Sequence, residues 1–192
     1  FLKQHYRVIA LDMPGYGKST YDQNTNYEFP IHLQGVVAFI KKLKLKNVVI
    51  AGLSYGGGLA VGVARSRGVD IKKVILMAPW GLQSFSASDV SVFKQNFDSN
   101  IKINVSIDEM ISSWHSNYIY DRTPVTDSYL HEFLGLIASG AYEKSSKIRY
   151  SVLKNSLRHN SGILRKSFTE IDVPILLIAG KNDAMVPIFV PS

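Results

Sequence analysis

A serine lies between two glycines in the stretch GLSYGGG, and Gly52, Ser54 and Gly56 together fit the pattern G-x-S-x-G. This pattern is typical of a sharp turn from a strand into a helix, which exposes the central hydroxyl as a nucleophile. Gly52 and Gly56 are expected to remove Cβ atoms that would clash in the turn. Gly57 and Gly58 are expected to let the helix pack close to the sheet.

Two further groups could work with this hydroxyl. The backbone N–H of Tyr55, at the start of the helix, is expected to point at a developing oxyanion. Asp183 lies in GKNDAMVP, directly after an apolar run, where a carboxylate could orient a histidine. Because parallel strands end at one edge of a sheet, Asp183 is expected on the same edge as Ser54.

The stretch IALDMPGYGKST ends in Gly-Lys-Ser, as phosphate-binding loops do. The position of the first glycine of that pattern is held by Asp12, whose carboxylate would repel a phosphate. The dinucleotide pattern G-x-G-x-x-G also fails, because Thr20 stands where its last glycine would be. Nucleotide binding is therefore a remote hypothesis, and the segment is interpreted as the turn that leaves a strand.

Short apolar runs alternate with amphipathic stretches along the chain. Strands are predicted at 6–12, 47–54, 73–79 and 173–180, and helices at about 30–43 and 56–67. Buried strands that alternate with helices indicate an α/β fold with a mostly parallel sheet and flanking helices.

About 90 residues separate the third and fourth predicted strands, far more than a crossover needs. Helical spacing of apolar residues predicts a helical cap or lid over 80–168, with the core formed by 1–79 and 169–192. If the lid covers the carboxyl ends of the strands, its aromatic residues are expected near Ser54 as substrate contacts. These candidates are Trp80, Phe85 and Trp114.

Composition narrows the classes of function. The 192 residues carry a net charge of +7 and no cysteine. The densest basic run, KKLKLK at 41–46, falls at the end of a predicted helix, where cations complement the helix dipole. A nucleic-acid partner is therefore not expected. No apolar run is long enough to span a bilayer, so no membrane insertion is expected. The lack of cysteine permits a cytoplasmic location, which is the expected one. No spacing of metal ligands is visible.

Three ordered segments resemble the α/β-hydrolase family: DMPGYGKS, GLSYGG and IDVPILLIAGKNDAMVP. The resemblance covers about half the chain. It implies that Ser54 is the nucleophile, Asp183 the acid and Tyr55 one oxyanion donor, without cofactor or metal. It also implies an enzyme that cleaves an ester or similar acyl bond of a small, largely apolar substrate.

The same resemblance places the catalytic histidine after Asp183, which in this chain means beyond Ser192, and the second oxyanion donor before Phe1. The chain is therefore expected to be truncated at both ends. The five histidines present are expected to be surface or lid residues without a catalytic role, and only His115 is kept as a possible substrate contact. Other reactions of the fold stay open: carbon–carbon bond hydrolysis, iminopeptidase, cofactor-free haloperoxidase or acyltransferase activity. So does a non-catalytic ligand-binding protein.

Overall fold

The computed structural model of the chain describes residues 1–20, 22, 24, 25, 27–81, 168–181 and 183, and positions 108, 109, 112, 128, 130–132, 134, 135, 138 and 139. Within this part the strands are β1 (Val48–Leu53), β2 (Ile71–Met77) and β3 (Ile175–Ile178). The helices are α1 (Phe29–Lys42) and α2 (Tyr55–Ala64), with short 3-10 helices at Leu2–Gln4 and Phe168–Glu170.

The three strands form a parallel sheet in the order β1-β2-β3. Leu53 pairs with Met77, and Met77 pairs with Ile178, so the strands end level with one another. Segments that follow the strands therefore leave the sheet at one common edge. This register confirms the predicted parallel α/β architecture and brings the residues after β1 and β3 to the same side.

Most residues of α2 are small or β-branched and apolar, which lets the helix lie close on the sheet. It packs on β1 and β2, and α1 packs on α2. The fully buried centre of this contact contains Ala60, Val61, Val74 and Leu76. Each buried side chain of the size of Val or Leu contributes about 1.5–3 kcal/mol of transfer free energy, so this small set supplies much of the local stability.

Helix α1 begins and ends as its sequence predicts. Pro30 lies in the first turn, where its missing N–H leaves no hydrogen bond unmade. Lys41 and Lys42 lie in the last turn, where their charges complement the carbonyl end of the helix. The basic run is thus a helix terminus, as the sequence indicated.

The predicted strand at 6–12 is wrong. These residues form no strand, and Val8 is 55% and Ile9 40% exposed. Apolar β-branched residues favour an extended chain, but a strand exists only when a neighbour pairs with it. No strand in the described part of the chain is hydrogen-bonded to residues 6–12.

The third predicted strand also ends earlier than expected, at Met77 rather than at residue 79. Ala78 has a φ of 39°, which takes the backbone out of the extended region. Pro79 then has no N–H to donate to a ladder. The chain therefore turns away from the sheet directly after β2, which brings Trp80 beside the end of β1.

The predicted lid at 80–168 lies almost entirely outside the described residues. The described positions from 108 to 138 are helical. That residues 80–168 form a lid over the carboxyl ends of the strands stays a prediction. Among the described residues, no helix combines the length and apolar character needed to cross a bilayer.

The glycines of the turn after β1 do not all act as expected. A Cβ on Gly52 would overlap the carbonyl group of Gly56, which confirms that Gly52 must lack a side chain. A Cβ on Gly57 would lie 2.7 Å from Cβ and 2.9 Å from Cα of Pro79. A Cβ on Gly56 would meet nothing within 4 Å, so the expected clash at Gly56 is wrong. The helix residue that must lack a side chain is therefore Gly57.

We expect Gly57→Ala to lower the free energy of unfolding by about 1–3 kcal/mol, because the added methyl group overpacks against the Pro79 backbone. Gly56→Ala is the matched control in the same helical turn. It should be neutral or stabilising by about 0.5–1 kcal/mol, since alanine restricts the unfolded chain. Urea unfolding of both variants checks the pair, and equal losses would contradict the contact with Pro79.

Candidate active site

Ser54 occupies the single position between β1 and α2, and its backbone is strained. Its φ is 49° and its ψ is −117°, a region that residues with a side chain rarely adopt. Such a conformation costs on the order of 1–3 kcal/mol and persists only where surrounding contacts enforce it. This geometry agrees with the sharp turn that the sequence pattern predicts, and it places Ser54 at the carboxyl edge of the sheet.

The hydroxyl of Ser54 is not used to cap the helix. A serine at the N-cap usually accepts a hydrogen bond from a backbone N–H of the first turn. Ser54 makes no side-chain capping hydrogen bond. Its backbone carbonyl instead accepts the N–H groups of Gly57 at 2.9 Å and Gly58 at 3.3 Å. Two N–H groups at the start of α2 thus find an acceptor without using the Ser54 hydroxyl.

A third donor fixes the same carbonyl from outside the helix. The backbone N–H of Trp80 donates to the Ser54 oxygen at 3.0 Å. A planar trans peptide directs its N–H opposite to its carbonyl, so these bonds also orient the N–H of Tyr55. As the first N–H of α2, that group has no intrahelical acceptor. It points out of the helix at its positive end, where an anion is favoured.

The side chain of Tyr55 is also held in place, by a hydrogen bond to His32, which was expected to have no role. His32 is fully buried, and its Nδ1 lies 2.9 Å from the Tyr55 hydroxyl. Its Nε2 lies 3.0 Å from the carbonyl oxygen of Pro14. A carbonyl can only accept, so we assign the proton to Nε2, and Nδ1 then accepts the hydrogen of the Tyr55 hydroxyl.

The expectation that every histidine is a surface or lid residue is therefore wrong for His32. Its spacing in α1 was the missed signal, because His32 lies four and eight residues before Val36 and Ile40. These positions share one helix face, and Ile40 is also buried. A polar residue on an apolar helix face needs internal hydrogen-bond partners, which Tyr55 and Pro14 provide.

An aromatic shell surrounds this pair. The ring of His32 stacks on Tyr27 with centroids 6.0 Å apart and lies 5.9 Å from Tyr16. Burial lowers the pKa of His32 and raises the pKa of Tyr55, so both groups are neutral near neutral pH. The Tyr55 ring also contacts Phe29 and Trp80, with centroids 5.9 Å and 6.3 Å away.

The loop that resembles a phosphate-binding sequence holds an anion of its own. The carboxylate of Asp12 accepts the backbone N–H of Lys18 at 3.0 Å, and the Ser19 hydroxyl donates to the Asp12 carbonyl at 2.7 Å. A Cβ on Gly17 would overlap that carboxylate. The glycine makes room for Asp12, in agreement with a role in shaping the loop.

Asp183 follows β3 by five residues and is partly buried. Its backbone N–H donates to the Gly180 carbonyl at 3.3 Å, which closes a turn beyond the end of the strand. Because the strands end level, Asp183 and Ser54 both lie past the same edge of the sheet. Its role as the acid stays a prediction.

Of the three aromatic candidates for substrate contact, only Trp80 lies among the described residues. Trp80 lies beside Ser54, but only 7% of its surface is exposed, and its backbone serves the turn directly. Phe85 and Trp114 lie outside the described residues, as does His115. Within the described part of the chain, no three His, Cys, Asp or Glu side chains cluster as metal ligands would.

Known proteins resemble this chain over nearly its whole length. A family model described as the alpha/beta hydrolase family matches residues 1–190. The AB hydrolase superfamily protein YisY of Bacillus subtilis is 27% identical over 96% of this chain and 67% of its own length. The bifunctional esterase/perhydrolase DCH of Acinetobacter calcoaceticus is also 27% identical, over 97% of this chain and 68% of its own.

Among solved structures, an esterase from Exiguobacterium antarcticum superposes with a TM-score of 0.71 at 21% identity, over 97% of this chain and 67% of its own. That likeness shows the shared fold. The chain spans about two thirds of the length of the curated relatives that it matches. The parallel sheet, the strained serine turn and the match over nearly all residues agree, and this chain belongs to the alpha/beta hydrolase family.

Proposed function

We propose that this protein is a serine hydrolase that cleaves an ester or similar acyl bond of a small, largely apolar substrate. The observation that carries the proposal is the state of Ser54. Its hydroxyl is not spent on capping, its backbone is held in a strained turn, and the adjacent N–H of Tyr55 points away from the helix. A nucleophile and an oxyanion donor from consecutive residues are what acyl transfer needs.

In the proposed reaction, Ser54 Oγ bonds to the acyl carbon while its proton passes to a histidine. The oxygen of the substrate carbonyl gains negative charge, and the Tyr55 N–H donates to it. The bond to the leaving alcohol then breaks, and the alcohol takes the proton from the histidine. Water, deprotonated by the same histidine, attacks the acyl-enzyme, releases the carboxylic acid and returns the proton to Ser54.

Asp183 is the proposed orienting acid for that histidine, because it leaves the sheet at the same edge as Ser54. The base itself is proposed from the resemblance, which puts it after Asp183 in the chain. His32 does not suit this role, because both of its ring nitrogens are engaged, by Tyr55 and by Pro14. Trp80, Phe85 and Trp114 remain the proposed aromatic contacts for the substrate.

Two alternatives share the same site. The name of the relative DCH joins esterase and perhydrolase activities, and this favours testing hydrogen peroxide as a second acceptor of the acyl group. The second alternative is a non-catalytic protein that keeps the fold and binds an apolar ligand. It requires that Ser54 be unreactive, which separates it from both enzymatic proposals in one experiment.

We expect a fluorophosphonate probe to label Ser54 in the full-length protein and Ser54→Ala to abolish the labelling. Turnover of a short-chain nitrophenyl ester should fall by about 10⁴-fold or more in this variant, because the residues of a triad act as a unit. Ser66→Ala is the matched control. Ser66 lies just past the other end of α2, where its hydroxyl bonds the Gly62 carbonyl, and its loss should leave labelling and turnover unchanged.

The outcomes separate the proposals. Labelling and turnover that depend on Ser54 support the hydrolase. Peracid formation from an ester and hydrogen peroxide, also dependent on Ser54, extends the proposal to perhydrolysis. A folded protein that is neither labelled nor active on a panel of acyl esters contradicts the hydrolase and leaves the non-catalytic alternative.

Asp183→Asn should lower kcat by about 10³–10⁴-fold, since an amide cannot hold the imidazole in the required tautomer or stabilise its charge. Asp172→Asn is the matched control, because Asp172 is exposed just before β3, at the opposite end of the strand. Steady-state kinetics on the same ester measure both. Equal activity of the two variants would show that Asp183 is not the acid.

A further inference from the structure

We propose that His32 is a positioning residue for the oxyanion site: through the Tyr55 hydroxyl, it holds the Tyr55 backbone N–H in the direction that the transition state requires. The inference rests on the proposed hydrolase function. It assigns a role to a buried histidine that lies outside the family's Ser-Asp-His order, since His32 precedes Ser54 in the chain. The proposed role is indirect, because His32 itself does not touch the reacting atoms.

The argument begins with the two restraints on Tyr55. From the main chain, the peptide that contains its N–H is fixed by the three donors to the Ser54 carbonyl. From the side chain, the hydroxyl is fixed 2.9 Å from His32 Nδ1. A residue held at both its peptide and the tip of its ring cannot rotate about its backbone without breaking one of these contacts. The direction of the N–H therefore depends on His32 as well as on the turn.

His32 can act as an anchor because it is itself held firmly. Its Nε2–H donates to the carbonyl of Pro14, in the loop that Asp12 closes. Its helix is pressed against α2, since a Cβ on Gly62 would lie 3.0 Å from a methyl group of Leu33. The restraint thus runs from the Asp12 loop through α1 to Tyr55. It ties two segments distant in sequence to the first residue of α2.

The neutral imidazole suits this position for a chemical reason. The site requires one donor, toward Pro14, and one acceptor, toward Tyr55, on a single rigid ring. Leaving either partner unpaired in a fully buried site costs about 1–3 kcal/mol. The Tyr16 and Tyr27 rings pack around the imidazole, and water is thereby kept from competing for the hydroxyl.

Protonation of His32 should break the anchor, because a protonated Nδ1 can no longer accept from Tyr55. The titratable groups that face the ring are the phenols of Tyr16, Tyr27 and Tyr55. Burial lowers the pKa of His32 below the ordinary value of 6.5, so the unfolded chain takes up a proton first as the pH falls. The stabilisation from His32 is therefore complete above about pH 6.5 and is lost as the pH falls through the lowered folded pKa.

We accordingly expect the free energy of unfolding to decline between pH 7 and pH 5 in the wild-type protein, and the decline to be shallower in His32→Asn. The exposed His5→Asn is the control and should keep the wild-type slope. Urea unfolding at each pH measures this. Identical slopes in wild type and His32→Asn would contradict a buried neutral His32.

The positioning role is tested in the full-length protein with a short-chain nitrophenyl ester and a trifluoromethyl ketone of matched chain length. The ketone forms a tetrahedral adduct with a serine hydroxyl, and the oxygen of that adduct occupies the oxyanion position. Tyr55→Phe keeps the ring and removes only the contact with His32. It should lower kcat and weaken inhibition by the ketone by roughly tenfold or more, with KM changed much less.

Further variants test whether the loss of inhibition arises from the contact between His32 and Tyr55. His32→Leu should match Tyr55→Phe, and the double variant should be no worse than either, because both remove one interaction. His32→Asn places an amide oxygen near the former Nδ1 and should recover most of the lost inhibition. Tyr6→Phe, which alters a tyrosine that is 60% exposed, should behave as wild type.

The results that overturn the inference differ from those that overturn the function. If Tyr55→Phe inhibits as tightly as wild type while Ser54→Ala abolishes turnover, the hydrolase proposal holds and the positioning role of His32 is refuted. If the wild-type protein shows no turnover that depends on Ser54, the proposed function falls and this inference falls with it. If His32→Leu does not fold, Tyr55→Phe decides alone.

Discussion

The structure depends on one constraint, the strained peptide at Ser54. Its positive φ would relax in a free chain, so the turn must be held by contacts that are worth more than the strain. Three N–H groups hold it, from Gly57, Gly58 and Trp80, and all converge on one carbonyl oxygen. Two of these donors come from the helix that the turn starts, and the third comes from the segment after β2. The turn is therefore stable only when α2 and β2 are both in place.

The packing of α2 follows from this constraint. The helix must begin one residue after β1 and still lie close to the sheet, which leaves no room for side chains where the backbones meet. Gly52 and Gly57 remove those side chains, toward the Gly56 carbonyl and toward Pro79. The buried residues of α2 and β2 then supply the apolar contact that holds the helix down. Packing free energy from the core thus offsets local backbone strain at the turn.

The sequence predicts the parts of this arrangement that are local. Apolar runs and helix-end signals locate β1, β2, β3, α1 and α2 to within a few residues, and G-x-S-x-G predicts the turn. What depends on partners distant in the chain is not predictable in this way. Residues 6–12 have the composition of a strand but no described neighbour to pair with. Gly56 and Gly57 are alike in sequence, and only the position of Pro79 distinguishes them. His32 is buried because Pro14 and Tyr55 reach it from either side.

In the loop that resembles a phosphate-binding sequence, the space that the glycine leaves is occupied by a side chain of the same loop. Its glycines do create space for an anion, as they would in a nucleotide-binding protein. Here the anion is the carboxylate of Asp12, from the same loop, so the space is occupied by the chain itself. The loop is hydrogen-bonded to itself at Asp12, and it presents the Pro14 carbonyl as an acceptor to His32. The segment that resembles a phosphate-binding loop is thus part of the support for Tyr55, the residue beside Ser54.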